Sequence, residues 1–470
     1  MLIRAQFAMV INLDKCLGCH ACAINGKKVW TNREGQEYAW WANVETRPGV
    51  GYPKLWEDQE RYGGGWVLVN GKLRLRLEVE KKFKPLEMRD YYTPYTYDYK
   101  ALFAPEVGEE QPVANPINMY TKKPMEIKWS PNWDDDLGGA NIYGKADPNW
   151  KNIQASIYMT LRNIFMFYLP RLCNHCLNPA CVAACPTKAI YKRKEDGIVL
   201  IDQTRCKGYR YCEIACPYKK IFFNWKTGKS EKCIFCYPRL EVGLPPICVE
   251  TCVGRIRYVG VVLYDEDKVL EAASAPEDKL VAAHRSIILD PFDPKVIKQA
   301  KADGVPDNFI KAAQESPAYY MFKKWEIALP LHPEYRTLPM VFYIPPLSPV
   351  IASMGPNGTY DAKYESIIPS IDEMRIPLQY LANMFAAGNV DEVKKALKRL
   401  VAIREFFRRI NVEGMSKMAA ASVLQEVGLS IEDADLIYKW LALGKDRWVI
   451  PTRNRPPRLA SQRIPSIQSS

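Results

Sequence analysis

The spacing of hydrophobic positions changes character along this chain. From Asp391 to Ile410, Val393, Leu397, Leu400, Val401, Phe407 and Ile410 recur on or near one helical face, with Lys394, Lys395, Lys398 and Arg399 largely opposite. The pattern predicts a core-packing helix rather than one lying on a membrane, and the whole texture beyond residue 266 is helical. Between Arg171 and Asp265 the apolar runs are short. Ala189 to Arg193 and Ile198 to Asp202 flank the turn Glu195-Asp196-Gly197, and Ile221 to Trp225 is followed by Thr227-Gly228-Lys229, so both segments read as hairpins. Residues 31–150 are rich in Tyr, Trp, Pro and Gly. They carry strand-like pieces at Gly65 to Val69 and Leu73 to Val79, among turn signals such as Gly63-Gly64-Gly65 and Gly138-Gly139. The longest uncharged stretch, Thr337 to Gly355, contains Pro339, Pro345, Pro346 and Pro349 and predicts no membrane-spanning helix. At the N-terminus Asp14 and Lys15 arrive before any long apolar run, so no secretory signal is expected.

Composition narrows the class. With 470 residues and 48% apolar positions, the chain has ample material for sizeable cores in roughly two to four domains. The formal charge of +12 is compatible with an acidic partner, a membrane surface or nucleic acid. No RNP, helix-turn-helix or zinc-finger pattern accompanies it, so the positive balance reads as a solvated surface that offsets buried anions, and nucleic acid is not an expected partner. The 14 cysteines change the picture most. Three fall between Cys16 and Cys22, eleven between Cys173 and Cys252, and none follows. Disulfide frameworks seldom leave half a chain unstapled, whereas metal sites do so routinely.

Four groups can be read: Cys16-x2-Cys19-x2-Cys22, then x3 to Gly26; Cys173-x2-Cys176-x4-Cys181-x3-Cys185-Pro186; Cys206-x2-Tyr209-x2-Cys212-x3-Cys216-Pro217; and Cys233-x2-Cys236-x11-Cys248-x3-Cys252. In the bacterial ferredoxin run C-x2-C-x2-C-x3-C-P, three cysteines hold one cluster and the fourth crosses to its neighbour. By that rule Cys173, Cys176, Cys181 and Cys216 hold a [4Fe–4S] cluster. Cys185, Cys206 and Cys212, with Tyr209 in the fourth position, hold a [3Fe–4S] cluster. Cys16, Cys19 and Cys22 with Cys252 form a second cubane. Cys233, Cys236 and Cys248 lack a fourth thiolate, because the crossing position is Gly26. That site is expected to be a second three-iron centre, or a cubane completed by Asn25 or a solvent oxygen. The tally is two or three [4Fe–4S] and one or two [3Fe–4S] clusters, with iron bound only through these cysteines. Zinc ribbons use paired C-x2-C but do not repeat C-x2-C-x2-C or C-x3-C-P.

The expected fold is α+β: two bacterial-ferredoxin-like double-cluster modules with a large insertion and a mainly helical C-terminal region. The first module combines residues 1–30 and 226–265, the insertion is 31–150, and the second module is 151–225. The helical region spans 266–450, and an extended tail rich in Arg and Pro covers 451–470. His20 and His175 lie inside cysteine loops, where they either tune sulfur by hydrogen bonding or simply pack. His284 and His332 have no ligand partners nearby in sequence. Lys219, Lys220, Lys226, Lys229 and Lys232 flank the third and fourth groups and are expected on solvated hairpins, near enough to raise cluster potentials or meet an acidic partner.

The wording around the cysteines resembles the iron–sulfur (beta) subunit of respiratory nitrate reductase and of nitrite oxidoreductase. The matching stretches are Leu13-Asp14-Lys15-Cys16 with Gly18-Cys19-His20, Glu37-Tyr38-Ala39-Trp40, Asn43-Val44-Glu45-Thr46, Tyr168-Leu169-Pro170-Arg171-Leu172-Cys173, Cys216-Pro217-Tyr218-Lys219-Lys220-Ile221 and Ser230-Glu231-Lys232-Cys233-Ile234-Phe235-Cys236. Ala328-Leu329-Pro330-Leu331-His332-Pro333-Glu334-Tyr335-Arg336 and Leu347-Ser348-Pro349 extend the likeness into the cysteine-free half. It covers roughly residues 1–450. The resemblance implies an electron wire within an enzyme complex that interconverts nitrate and nitrite, with no catalytic residue in this chain. It implies two partners: a molybdenum-bis(molybdopterin guanine dinucleotide) alpha subunit beside the cluster of Cys16, Cys19, Cys22 and Cys252, and a membrane cytochrome b-type gamma subunit, with haem, near Cys185, Cys206 and Cys212. Relatives acting on selenate, chlorate or a hydrocarbon share the wire and are the alternative. Membrane attachment is expected through partners, at the cytoplasmic face unless a partner co-exports the chain. Two positions depart from the family: Tyr209 stands where Trp is usual, and Gly26 where Cys is usual.

Overall fold

The computed structural model describes residues 1–77, 92–104, 114–127, 146–150, 166–347, 371 and 377–452. Its backbone is a four-stranded sheet ordered Arg257–Asp265, Ile3–Asn12, Val341–Ile344, Leu329–Pro330. Ile3–Asn12 runs antiparallel to Arg257–Asp265, from Ile3 opposite Asp265 to Ile11 opposite Arg257, and parallel to Val341–Ile344, with Met9 opposite Val341. Every residue of Arg257–Asp265 is buried, as a strand covered on both faces requires, and the run Val259 to Leu263 is apolar apart from Gly260. This sheet joins the first residues of the chain to both sides of the cysteine-free half. The strand Ile3–Asn12 is not among the elements expected from the sequence, and the region beyond residue 266 is not helical throughout. The short strands Leu329–Pro330 and Val341–Ile344 interrupt that helical texture because they close the sheet around the N-terminal strand.

The two expected hairpins form with tighter bounds, Ile190–Lys192 pairing with Val199–Ile201 and Ile221–Asn224 with Lys229–Lys232. Of the strand-like pieces, Trp66–Val69 pairs with Lys72–Leu75. Residues 78 and 79 of the expected Leu73 to Val79 strand, and the Gly138-Gly139 turn, lie outside the described residues, as does the tail from 453 onward. The amphipathic pattern near residue 400 becomes the helix Val390–Asn411, capped by the Asn389 side chain on the amides of Asp391 and Glu392. It buries Val393, Leu397, Leu400 and Phe406 in the main core. Among the described residues no helix is long and apolar enough to cross a membrane.

Ala42–Arg47 pairs with Phe167–Leu172, the strand that delivers Cys173. Its charged residues are buried rather than solvated. Glu45, Arg47 and Arg171 are 0%, 0% and 1% exposed. Glu45 accepts from Arg171 and Arg47 at 2.6 Å each, and Arg47 reaches on to Glu57 at 2.5 Å and Asp147 at 3.4 Å. Arg171 also stacks over the Trp56 ring at 3.7 Å. The network ends at His332, whose ring nitrogens lie 2.7 Å from Glu57 and 2.7 Å from Glu334. Burial opposes protonation of His332, but the two carboxylates outweigh it and raise its pKa to about 9. A pKa raised in the folded state stabilises fully below the ordinary histidine value of about 6.5 and ceases to do so as pH climbs through the folded value. The unfolding midpoint is therefore expected to fall between neutral pH and about pH 9 by an increment that the His332→Gln variant lacks. Equal pH slopes for the two proteins in thermal melts would refute the assignment.

Candidate iron–sulfur centres

Two short helices build the second and third cysteine groups. Ala180–Ala183 carries Cys181 and leads to Cys185, while Tyr211–Ala215 carries Cys212 and leads to Cys216. The two helices pack against each other. Their ends are exchanged: the Cys181 thiol feels Cys216, Cys173 and Cys176, whereas Cys212 feels Cys206 and Cys185. One cavity is lined by Cys173, Cys176, Cys181 and Cys216, and another by Cys185, Cys206, Cys212 and Tyr209.

Ala21–Gly26 and Ile247–Glu250 form the corresponding pair of helices for the first and fourth groups, and they too pack together. Cys16 feels Cys22 and Cys252, while Cys233 feels Cys236 and Cys248. Cys19 is exposed on the outer side of its group. Two further proximities connect the sets. Cys248 also feels Cys22, and Cys233 also feels Cys173. The thiols therefore succeed one another as Cys16/Cys22/Cys252, Cys233/Cys236/Cys248, Cys173/Cys176/Cys181/Cys216 and Cys185/Cys206/Cys212.

The backbone repeats where the spacing does. Cys16-Leu17-Gly18-Cys19-His20 and Cys206-Lys207-Gly208-Tyr209-Arg210 both place the glycine and the last residue in the left-handed region, with φ of 64° and 56° in one loop and 71° and 65° in the other. A Cβ on Gly18 would lie 2.6 Å from the Tyr168 ring, and one on Gly208 would lie 2.3 Å from the Gly228 carbonyl oxygen, so glycine is required for space as well as conformation. Tyr209 thus occupies the backbone position that Cys19 holds in the first loop. Like Cys19 it is exposed.

These cavities suit an anionic cluster. All fourteen cysteines are free thiols. Among the described residues no three His, Cys, Asp or Glu side chains converge on a point that would hold one metal ion; the thiols ring cavities instead. Burial pushes Cys16, Cys176 and Cys248 up to about 12, so the thiolates form only when iron displaces their protons. Buried cations already stand beside them. Lys220 and Lys232 line the Cys173 cavity, and Lys192 donates to the Cys176 carbonyl oxygen at 3.3 Å. This corrects the expectation of solvated lysines. Lys226 is exposed and Lys229 partly so, but Lys219, Lys220 and Lys232 are at most 2% exposed. Their ammonium groups are satisfied by carbonyl and amide oxygens, such as Ile214 at 2.8 Å from Lys219 and Cys233 at 2.8 Å from Lys232. Burial, joined at Lys192 by the nearby Lys232 charge, pulls Lys192 and Lys219 down to about 7, with the neighbouring thiols acting in the opposite sense. An anion in the cavity favours their charged forms.

The histidines divide. His175 is buried against Phe235 and accepts from the Val199 amide at 3.1 Å through Nδ1, and desolvation keeps it neutral. His20 starts the helix of Cys22 in a left-handed conformation. His284 is held between Phe322 and Phe342. Direct side-chain donors to sulfur come from residues outside the cysteine motifs. Trp30 Nε1 lies 3.3 Å from Cys236 Sγ, and Arg257 Nη2 lies 3.2 Å from Cys22 Sγ.

Comparison with known proteins agrees with this geometry. A family model described as a 4Fe-4S dicluster domain matches residues 164–262, and one described as the respiratory nitrate reductase beta C-terminal region matches residues 347–431. The respiratory nitrate reductase 2 beta chain of Escherichia coli is 53% identical over 97% of this chain and 90% of its own length. The nitrate reductase beta chain of Bacillus subtilis is 50% identical over 97% of this chain and 95% of its own. The selenate reductase subunit beta of Thauera selenatis is more distant, at 39% identity over 84% of this chain and 90% of its own length.

Proposed function

The chain belongs to the nitrate reductase beta-chain family, and from that premise we propose that it conducts electrons through four iron–sulfur clusters in a row. The row runs between a cytochrome b-type membrane subunit and a molybdenum-pterin catalytic subunit that interconverts nitrate and nitrite. Its class is that of an iron–sulfur electron-transfer subunit of respiratory nitrate reductase. The selenate and chlorate reductase relatives, at 39% and 38% identity, make those substrates the weaker reading beside relatives at 50% and above.

The observation that carries the reading is the succession of thiol sets: Cys22 and Cys248 bring the first near the second, Cys233 and Cys173 the second near the third, and the packed helices Ala180–Ala183 and Tyr211–Ala215 join the third to the fourth. In it Cys16, Cys19, Cys22 and Cys252 hold one cubane, and Cys173, Cys176, Cys181 and Cys216 another. Cys185, Cys206 and Cys212 hold a three-iron cluster, with Tyr209 offering no thiolate. Cys233, Cys236 and Cys248 hold the cluster whose fourth corner faces Gly26, taken here as a second three-iron centre. Bound clusters supply one-electron carriers, with potentials set by nearby charge, hydrogen bonds to sulfur and exposure. The chain's own residues hold them, exclude water and supply the cations described above. The two ends differ in surface. At one, Leu17 and Val253, next in sequence to Cys16 and Cys252, are 64% and 65% exposed and Cys19 is exposed as well, whereas at the other Tyr209 and Tyr211 line the Cys185 cavity and are 61% and 50% exposed. Exposed apolar and aromatic groups around the terminal sets support docking of a different partner at each end.

Iron analysis joined to EPR and Mössbauer spectroscopy of the isolated complex tests the assignment. About 14 iron atoms attributable to this chain, with two distinct three-iron signals, are expected. A value of about 15 or more with one such signal would overturn the second three-iron centre.

A further inference from the structure

Arg257 opens the strand Arg257–Asp265 opposite Ile11 and is 0% exposed. Three other buried arginines have carboxylate partners: Arg47 has Glu45 and Glu57, Arg171 has Glu45, and Arg285 has Glu392, while Arg336 spends its Nη1 on the Ala273 and Ala275 carbonyl oxygens. Among the described residues no carboxylate pairs with Arg257. Its Nη2 donates to Cys22 Sγ at 3.2 Å, its Nη1 approaches Met9 Sδ at 3.7 Å, and its Nε has no partner among the described residues. A guanidinium cannot shed its proton at accessible pH, and a buried charge without a counter-charge is strongly destabilising. The compensating anion has to come from the sulfur side. The thiols facing Arg257 are Cys22, Cys248, Cys252 and Cys16, drawn from both the first and the second sets of the row. Two further groups bear on this neighbourhood: Arg447 interacts with Cys252 but spends its Nη1 on the Val249 carbonyl oxygen at 3.3 Å, and Trp30 donates to Cys236.

We propose that Arg257 is a positioning residue shared by the first two clusters, a fixed buried cation that raises both of their reduction potentials. The inference rests on the four-cluster reading above. Reduction adds negative charge to a cluster, and a buried cation with an N–H aimed at a ligand sulfur stabilises that state more than the oxidised one. The third and fourth sets are served by other groups, the lysines already described and the Arg210–Glu213 pair at 3.5 Å. Arg257 therefore acts on half of the row.

EPR-monitored redox titration of the assembled complex tests this, with wild type, Arg257→Lys and Arg257→Met compared and iron measured on each sample. Signals are assigned to sets through Cys→Ser variants at Cys16, Cys233, Cys173 and Cys206. Arg257→Met is expected to lower the potentials of the first two clusters and leave the last two in place. Arg257→Lys, which keeps the charge and loses the fork, should shift the same two by less. Equal movement of all four, no movement in Arg257→Met at wild-type iron content, or a Lys shift as large as the Met shift would overturn the proposal. If Arg257→Met loses iron, the Lys variant alone decides: two clusters shifted supports the proposal, and none or all four shifted refutes it. The number of cluster signals in the wild-type complex tests the four-cluster reading separately.

Discussion

Replacing Gly26 by cysteine is expected to add about one iron atom per chain and to abolish one of two three-iron EPR signals. Gly26 is the last residue of the helix Ala21–Gly26, in ordinary helical geometry, where the chain passes into the wider turn Lys27–Thr31. It is buried, and among the described residues a Cβ built on it meets no atom within 4 Å beyond its chain neighbours and its own helix backbone. One turn further on, Trp30 directs its indole N–H to Cys236 Sγ, so this side of the segment faces the thiols of the second set. The Asn25 amide is turned along its own helix, donating to the Ala21 carbonyl oxygen at 2.8 Å, which disfavours it as a substitute ligand. A thiol at position 26 would complete that set by the same crossing geometry that sends Cys252 to Cys16 and Cys22. Gly26→Ala is the control. It gains up to about 1 kcal/mol of helix propensity without offering a ligand, and both three-iron signals should persist. If Gly26→Cys leaves iron content and spectra unchanged, the corner facing residue 26 is already filled.

Much of the site was legible because its determinants are local. Cysteine spacings of two and three residues encode the turn and short helix that present each thiol, and the turns Glu195-Asp196-Gly197 and Thr227-Gly228-Lys229 mark the hairpins between them. Tyr209 could be recognised as standing in a ligand position because its loop copies that of Cys19. What could not be read depends on partners far away in the chain. Lys192 lies 186 residues from its Gln6 acceptor, and Arg257 lies 235 residues from Cys22. A lysine beside Pro217-Tyr218 looks like any surface lysine until the fold seals it among carbonyl groups. Ile3–Asn12 is harder to read for a related reason: its alternation covers only Ile3 to Phe7 and then gives way to the apolar run Phe7 to Ile11, which is explained only when Arg257–Asp265 and Val341–Ile344 close on it as a central strand.

Removal of the Glu45 carboxylate is expected to cost about 3–5 kcal/mol and to release iron first from the third set. That one buried carboxylate accepts from Arg171, Arg47, Asn43 Nδ2 at 3.0 Å, the Tyr52 amide at 3.1 Å and Trp56 Nε1 at 3.2 Å. Burial works against its charge, but Arg171 and Arg47 overcome this and hold its pKa far below the usual carboxylate range. Its contribution is therefore complete above the unfolded value of about 4.3 and fades only as pH falls toward its own depressed pKa. Arg171 converts this stability into placement of the site. It precedes Cys173 by two residues, and its Nη1 donates to the Tyr218 carbonyl oxygen at 2.9 Å, two residues beyond Cys216. Both chain segments that close the third set are thus tied to one guanidinium, and that guanidinium is held by Glu45. Urea titration of the clusters' visible absorbance should show Glu45→Leu strongly destabilised, with Arg171 left charged and unpaired in the interior. The double variant Glu45→Leu, Arg171→Met should recover part of the loss, because it removes the orphaned charge as well as the bond. Loss of less than about 1 kcal/mol in the single variant, or additive losses in the double, would mean that the pair is incidental to holding the third set.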